Sequence, residues 1–174
     1  MGEKPYTLAP DEKATQVMVG TSDMLFWGAL VTKEQVRLSA YLNTLADDFV
    51  PFHNVKILFL APAQQMAPVE RALLCVKLEE ILVFFAMADL ESPPEETEMR
   101  RYEPIEALVG SYQIEGMILK SPITPLQSMM LVATATYLPV YKATVRHVAK
   151  PWLGTFSSNI VQVRRARLLT TTRE

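Results

Sequence analysis

Catalysis needs groups that can share a site, and this sequence holds few of them. His53 and His147 are the only histidines and Cys75 is the only cysteine. A Cys–His nucleophile pair would need the two within hydrogen-bond reach. Cys75, however, stands in Leu73-Leu74-Cys75-Val76, apolar surroundings in which free cysteine packs as a small buried hydrophobe. One cysteine and two distant histidines make no zinc site without several carboxylates. The adjacent acids Asp47-Asp48 and Glu79-Glu80 read as solvated turn residues. Neither a Walker loop nor a dinucleotide fingerprint is present, and six glycines leave little material for a phosphate cradle. The expectation is a protein that is not an enzyme and carries no cofactor and no metal.

Charge offers a second kind of chemistry. Residues 1–104 hold 16 acidic and 9 basic side chains, net −7, and residues 105–174 hold 3 and 8, net +5, which together give the −2 of the chain. The second half gathers Lys142, Arg146, Lys150, Arg164, Arg165 and Arg167, with Tyr141 and Trp152 nearby. Of these, Lys142, Arg146, Arg164, Arg165 and Arg167 are the candidate polyanion-binding residues, because phosphate contacts supply most of the affinity for nucleic acid. Read as a strand, the last three put Arg165 and Arg167 on one face and Arg164 on the other. The plainer reading is that this half pairs with its acidic partner half, or that the arginines keep an exposed edge strand soluble. The near-neutral total argues against a nucleic-acid binder on bulk charge alone.

These groups must be positioned by 174 residues, enough for one ordinary domain or two small ones. Hydrophobic residues make up 49% and the mean hydropathy is +0.12, so the chain can fill a core. A single cysteine excludes a disulfide scaffold. Met1–Gln16 carries Glu3, Asp11 and Glu12 without an apolar core, unlike a signal peptide. The longest uncharged apolar stretch, Met129 to Tyr141, falls short of the roughly 20 residues of a spanning helix. The expectation is a soluble, cytoplasmic protein that meets no membrane.

An internal repeat organises the chain. Displaced by 88 positions, Gly28-Ala29-Leu30-Val31 falls on Gly116-Met117-Ile118-Leu119, and Phe49-Val50-Pro51-Phe52 on Tyr137-Leu138-Pro139-Val140. Before each glycine come a strand, a turn at Gly20-Thr21 or Gly110-Ser111, and a second strand. Between glycine and proline the spacing predicts a short helix in each copy. Leu38, Tyr41, Leu42 and Leu45 form one apolar stripe, and Leu126, Met129, Met130 and Ala133 the other. Thr124 is placed to cap the second helix, with Pro125 at its first position. The ends of the copies are less regular. Pro68 to Ile81 reads locally as a helix, but the repeat favours strand, turn and strand. On that reading Lys77-Leu78-Glu79-Glu80 and Ser157-Ser158-Asn159 are the late turns, followed by strands at 81–85 and 161–169. Residues 89–104, with six acids and three prolines, read as an exposed linker.

Five short, strongly bent strands per copy suggest small barrels. The run Val17-x-Val19-x-Thr21-x-Asp23-x-x-Phe26-x-Gly28-x-Leu30 resembles the opening strands of Sm-like barrels. Val76 to Leu82 and Phe156 to Val161 sit where that family has its final turn and strand. The whole is similar to uncharacterised bacterial proteins with two tandem Sm-like repeats, over most of residues 15–169. The implied fold class is mainly β (α+β): a tandem duplication of a small bent SH3-type barrel, each copy with one inserted helix. Its parts would be a tail 1–13, a first barrel 14–88, the linker 89–104, a second barrel 105–170 and a tail 171–174. That family binds RNA through an Asp/Asn-containing middle loop and a late Arg-Gly-Asp/Asn-type turn. Here a helix replaces the loop, the late turns carry neither arginine nor glycine, and only Asn159 lies near a matching position. The resemblance therefore implies the fold more strongly than the RNA site.

Leu82-Val83-Phe84-Phe85-Ala86-Met87 is apolar on both faces of a strand and needs cover on both. Either the two halves pack together or a second chain supplies the cover, which makes Leu82, Phe84 and Phe85 the candidate interface residues. The functional expectation is a non-enzymatic protein-interaction or self-assembly module, with a homo-oligomer or another protein as partner. The alternative is RNA binding through the basic second half.

Overall fold

The computed structural model describes residues 6–61, 67–88 and 90–171. Each half lays down two long strands, a short helix, a third long strand, a fourth, and a short fifth. In the first half these are β1 (Glu12–Gly20), β2 (Met24–Lys33), α1 (Leu38–Thr44), β3 (Phe49–Phe59), β4 (Val69–Lys77) and β5 (Val83–Ala86). In the second they are β6 (Arg101–Val109), β7 (Tyr112–Lys120), α2 (Leu126–Val132), β8 (Tyr137–His147), β9 (Thr155–Arg164) and β10 (Leu168–Thr171). The local reasons match the pattern of side chains. β1 buries Val17, Val19 and Met18 on alternate faces, and Thr21 closes its turn by accepting from the amides of Asp23 and Met24. α1 buries Leu38 and Leu42 one turn apart.

All ten strands join in one open antiparallel sheet, in the order β10-β6-β7-β8-β9-β5-β1-β2-β3-β4. This corrects the expected pair of closed small barrels. The reason lies in β5, whose two edges are both taken: it pairs with β1 on one side and with β9 of the other half on the other. A strand bonded on both sides joins the halves into one sheet and leaves neither half closed on itself. The doubly apolar stretch finds its cover here. Val83 and Phe85 enter one core with β6 to β9, and Phe84 enters the other with β1 to β4.

The spacing of 88 persists in the backbone. α1 and α2 start 88 apart, as do β3 and β8. The two ladders break their register around Gly28 and around Gly116. Opposite these bulges sit the two non-glycine residues with positive φ among the described residues, Asn54 at 50° and Lys142 at 49°, again 88 apart. Towards the end of each half the spacing slips. Val76 pairs with Val50 where Val163 pairs with Leu138, a spacing of 87 between the outer partners, and Val83 pairs with Gly20 where Leu169 pairs with Leu108, a spacing of 86.

Several boundaries differ from the sequence reading. Ser157-Ser158-Asn159 is no turn but lies inside β9, and the counterpart of the 3-10 turn Leu78–Glu80 is the 3-10 turn Arg165–Arg167. The strand expected at 161–169 is therefore cut in two, and Arg165 and Arg167 stand on a turn rather than a strand face. Pro68 to Ile81 is strand followed by 3-10 turn, as the repeat argued. β6 begins at Arg101, so the connector ends at residue 100. Thr124 does not cap α2: Pro125 holds the cap position without a side-chain bond, and the Thr124 carbonyl accepts from Lys120 Nζ at 2.6 Å. The Lys120 ammonium is buried and also meets Glu103 at 2.7 Å and the Ser121 carbonyl at 3.1 Å.

Candidate functional site

The best-built polar arrangement lies where the halves meet. β5 and β9 pair with Val83 opposite Val163, Phe84 opposite Gln162 and Phe85 opposite Val161. Tyr137, at the start of β8, has a fully buried ring in the core of the other half. Its hydroxyl donates towards Leu78 O at 2.5 Å and Ile81 O at 3.0 Å. Its backbone is held by a reciprocal pair: Asn43 Nδ2 donates to Tyr137 O and Tyr137 N donates to Asn43 Oδ1, both at 2.9 Å. The Arg164 guanidinium completes the arrangement, donating to Leu78 O at 3.1 Å and lying 5.9 Å from the Tyr137 ring centre. Burial raises the Tyr137 phenol and Arg164 opposes it, while Lys77 first, and Arg164 more weakly, hold Glu79 below the usual carboxylate range. Nothing in this arrangement resembles a nucleophile and base. It is an interface, satisfied within one chain.

The outer strands repeat half of that interface each. Among the described residues, β4 has β3 as its one strand neighbour and β10 has β6. Large apolar side chains stand exposed in both halves: Phe49 on β3 at 52% and Leu73 on β4 at 45%, Leu169 on β10 at 70%, and Leu131 and Val132 on α2 at 78% and 75%. Their positions are not random. Phe49 is 88 residues before Tyr137, and Leu131 is 88 after Asn43, so the two exposed apolar residues occupy the places of the hydrogen-bonded pair that clamps the halves.

The residues singled out from sequence fall in different places. Leu82, Phe84 and Phe85 are 7%, 1% and 4% exposed, so a second chain does not reach them; the cover they need comes from within. The basic candidates form two groups. Lys142 lies over the Tyr102 ring, and Arg146 bonds Gln113 and faces Glu115 at 3.7 Å. Arg164, Arg165 and Arg167 lie at the opposite end of β8, where Tyr137 pairs with Arg164, and Arg165 Nε donates to Ala135 O at 2.9 Å. Nine residues of strand separate Tyr137 from Arg146, about 30 Å at the usual rise, so no single basic face contains all five. Cys75, expected to be buried, is exposed, because β4 is an outer strand. Sequence reasoning missed Tyr137 and Asn43. The alignment of Phe49 with Tyr137 was the available signal, but which of the two is buried depends on what lies across the next strand.

The histidines play no joint role. His53 stacks near Tyr6, with ring centres 4.5 Å apart, whereas His147 is buried edge-on against Tyr112. Burial, and then Lys150, hold His147 below the ordinary imidazole value of 6.5. The unfolded chain therefore takes up this proton first as pH falls. The contribution is intact above pH 6.5 and is lost as pH drops from there towards the lower folded value. Between pH 7.5 and 5.5 the urea midpoint of the native protein should fall further than that of His147→Gln; equal falls would show that this imidazole titrates alike in both states. Among the described residues, no group of three or more His, Cys, Asp or Glu is placed to hold a metal ion, and no helix is long and apolar enough to cross a membrane. Compared with protein-family models, with curated proteins and with solved structures, the chain found no match.

Proposed function

We propose that this chain is two copies of one five-stranded unit, and that its function is non-enzymatic: it assembles head to tail with further copies of itself. The observation that carries the reading is the relation between its joined and its free strands. β5, last strand of the first half, pairs with β9, fourth strand of the second. What stands free is β10, last strand of the second half, and β4, fourth strand of the first. The same pairing can therefore be made once more between molecules. Such a contact is heterologous and propagates into a ring, or into a filament if the rotation does not close.

Register follows from the internal pairing. Leu169 stands to β6 as Val83 stands to β1, and Val76 stands to β3 as Val163 stands to β8. Between copies, Leu169 then lies opposite Val76, and Thr170 opposite Cys75. Phe49 of one copy would meet Leu131 of the next, as Tyr137 meets Asn43 within the chain, while Leu169 would lie on the other face, beside Val76. In the chain the turn at 78–80 lies beside Thr136 and Arg164; between copies the Arg165–Arg167 turn would lie beside their counterparts Asp48 and Lys77, one acid and one base.

Thr170→Cys tests this together with the native Cys75. Cα atoms directly opposite in an antiparallel pair are about 4.5–5.5 Å apart, within disulfide range. Mild oxidation should give a ladder of covalent multimers well beyond the dimer. Native protein, and Thr170→Cys combined with Cys75→Ser, carry one cysteine each and must stop at dimers. A monodisperse native monomer in light scattering at high concentration, with no ladder beyond dimers, would overturn the proposal.

A further inference from the structure

Besides Tyr137, the junction is closed by first-half side chains that enter the core of the second half, among them Met18, Leu25, Leu60 and Val83. Gly20 stands with them. A Cβ there would collide with the Tyr112 ring, 2.6 Å from its hydroxyl oxygen, so this ring needs bare backbone opposite it. The Tyr112 hydroxyl in turn donates to the Met24 carbonyl at 3.3 Å.

These first-half positions have counterparts on the second half. Gly20 pairs with Leu25, and Leu108 with Gln113, 88 residues after Leu25. Leu60 N donates to Asp23 O and Val148 N to Ser111 O, both at 2.8 Å and again 88 apart. Leu108 therefore stands for Gly20, Val148 for Leu60 and Leu169 for Val83. The first-half set is buried, whereas Leu108 is 38%, Val148 56% and Leu169 70% exposed. Leu108 and Leu169 are directly paired across β6 and β10. Sizes are exchanged on the facing side: the counterpart of Tyr112 is Met24, half-buried against the first half's core.

We infer that Leu108, Val148 and Leu169 form a patch that docks on the first half of another copy at Met24, and that excludes a second half, whose Tyr112 leaves no room for Leu108. The inference rests on the head-to-tail reading and adds the residues that give it one direction. Methionine is unbranched and yields to a leucine where a tyrosine ring does not. β10 of one copy therefore cannot displace β5 from the β9 of another, and the two kinds of joint keep their partners. The outer joint is also the more polar. Met18 and Leu25 are answered there by Glu106 and Gln113, which hydrogen-bond each other, so contact between copies is weaker than contact within the chain.

Sedimentation of the full chain over a range of concentrations measures this. Leu108→Arg and Val148→Arg change exposed side chains, so the monomer should keep its urea midpoint while association weakens about tenfold or more. Met24→Tyr, which sets a ring against Leu108, should weaken association similarly. Adding Leu108→Gly to it rebuilds the Gly20–Tyr112 pair and should restore association. A native chain that stays monomeric at high concentration overturns the head-to-tail reading and this patch with it. If the native chain associates and both arginine variants associate equally well, or Met24→Tyr does, the patch alone is overturned. Should Met24→Tyr fail to fold, the arginine variants decide.

Discussion

Replacing Tyr137 by alanine should lower the free energy of unfolding by about 3–5 kcal/mol, the usual range for deleting a fully buried aromatic ring. The ring belongs to β8 but packs in the core built by β1 to β4, so its removal opens a cavity in one half and unties the other. Two contributions can be separated. Tyr137→Phe keeps the ring and removes the hydroxyl. Leu78 O would retain the Arg164 guanidinium, whereas Ile81 O would lose its side-chain donor, a penalty of about 1–3 kcal/mol for a buried acceptor. The remainder of the alanine effect is packing. Both variants should be measured by urea unfolding, following the near-ultraviolet signal and the far-ultraviolet signal together. Coincident transitions in the native protein and a split in Tyr137→Ala would identify this ring as a coupling element between halves. A loss below about 1 kcal/mol for the alanine variant would show that the junction holds without it.

Those junction residues show where the sequence is readable and where it stops. Strand periodicity at Val17 and Val19, the two helical stripes, and the glycine-to-proline spacing are local signals, each set by which neighbours a side chain meets a few residues away. They placed β1 to β3, β6 to β8, α1 and α2 close to where the structure has them. The failures are of another kind. Val161 to Leu169 looks like one strand, but the chain must turn at Arg165–Arg167 to bring Leu168 and Leu169 beside β6. That turn is dictated by a pairing some sixty residues away in sequence. Cys75 has apolar neighbours along the chain, yet it is exposed because, among the described residues, no strand lies beyond β4. Closure was misjudged for the same reason: a bent strand with free edges and one that bridges two halves have the same composition. The role of Tyr137 is legible only once β5 is known to lie beside β9.

The two bulge glycines should respond differently to the same small change, and the difference tests whether the sheet is stiffer at its centre than at its edge. A Cβ on Gly116 would stand 2.7 Å from Val140 Cγ1, 2.9 Å from the Tyr141 carbonyl oxygen and 3.1 Å from Ala143 Cα. Two of those atoms are backbone, in β8, which is held by β7 on one side and β9 on the other. It has nowhere to go. On Gly28 the nearest atoms, His53 O and Val55 Cγ2, are both at 3.0 Å, and they belong to β3, whose outer neighbour β4 is free to follow it. Gly116→Ala should therefore cost about 2–3 kcal/mol, in the range of overpacked cores. Gly28→Ala should cost about 1 kcal/mol or less, since the strain is smaller and alanine also reduces the entropy of the unfolded chain. Urea midpoints with unchanged slopes would give the two values directly. Equal costs would mean that β3 is as tightly held as β8. In a monomer that would be unexpected, but it is the result to expect if β4 is itself covered by the β10 of another copy. Repeating the comparison at low and high protein concentration separates the two cases. A penalty for Gly28→Ala that grows with concentration would make the outer strand part of an intermolecular sheet.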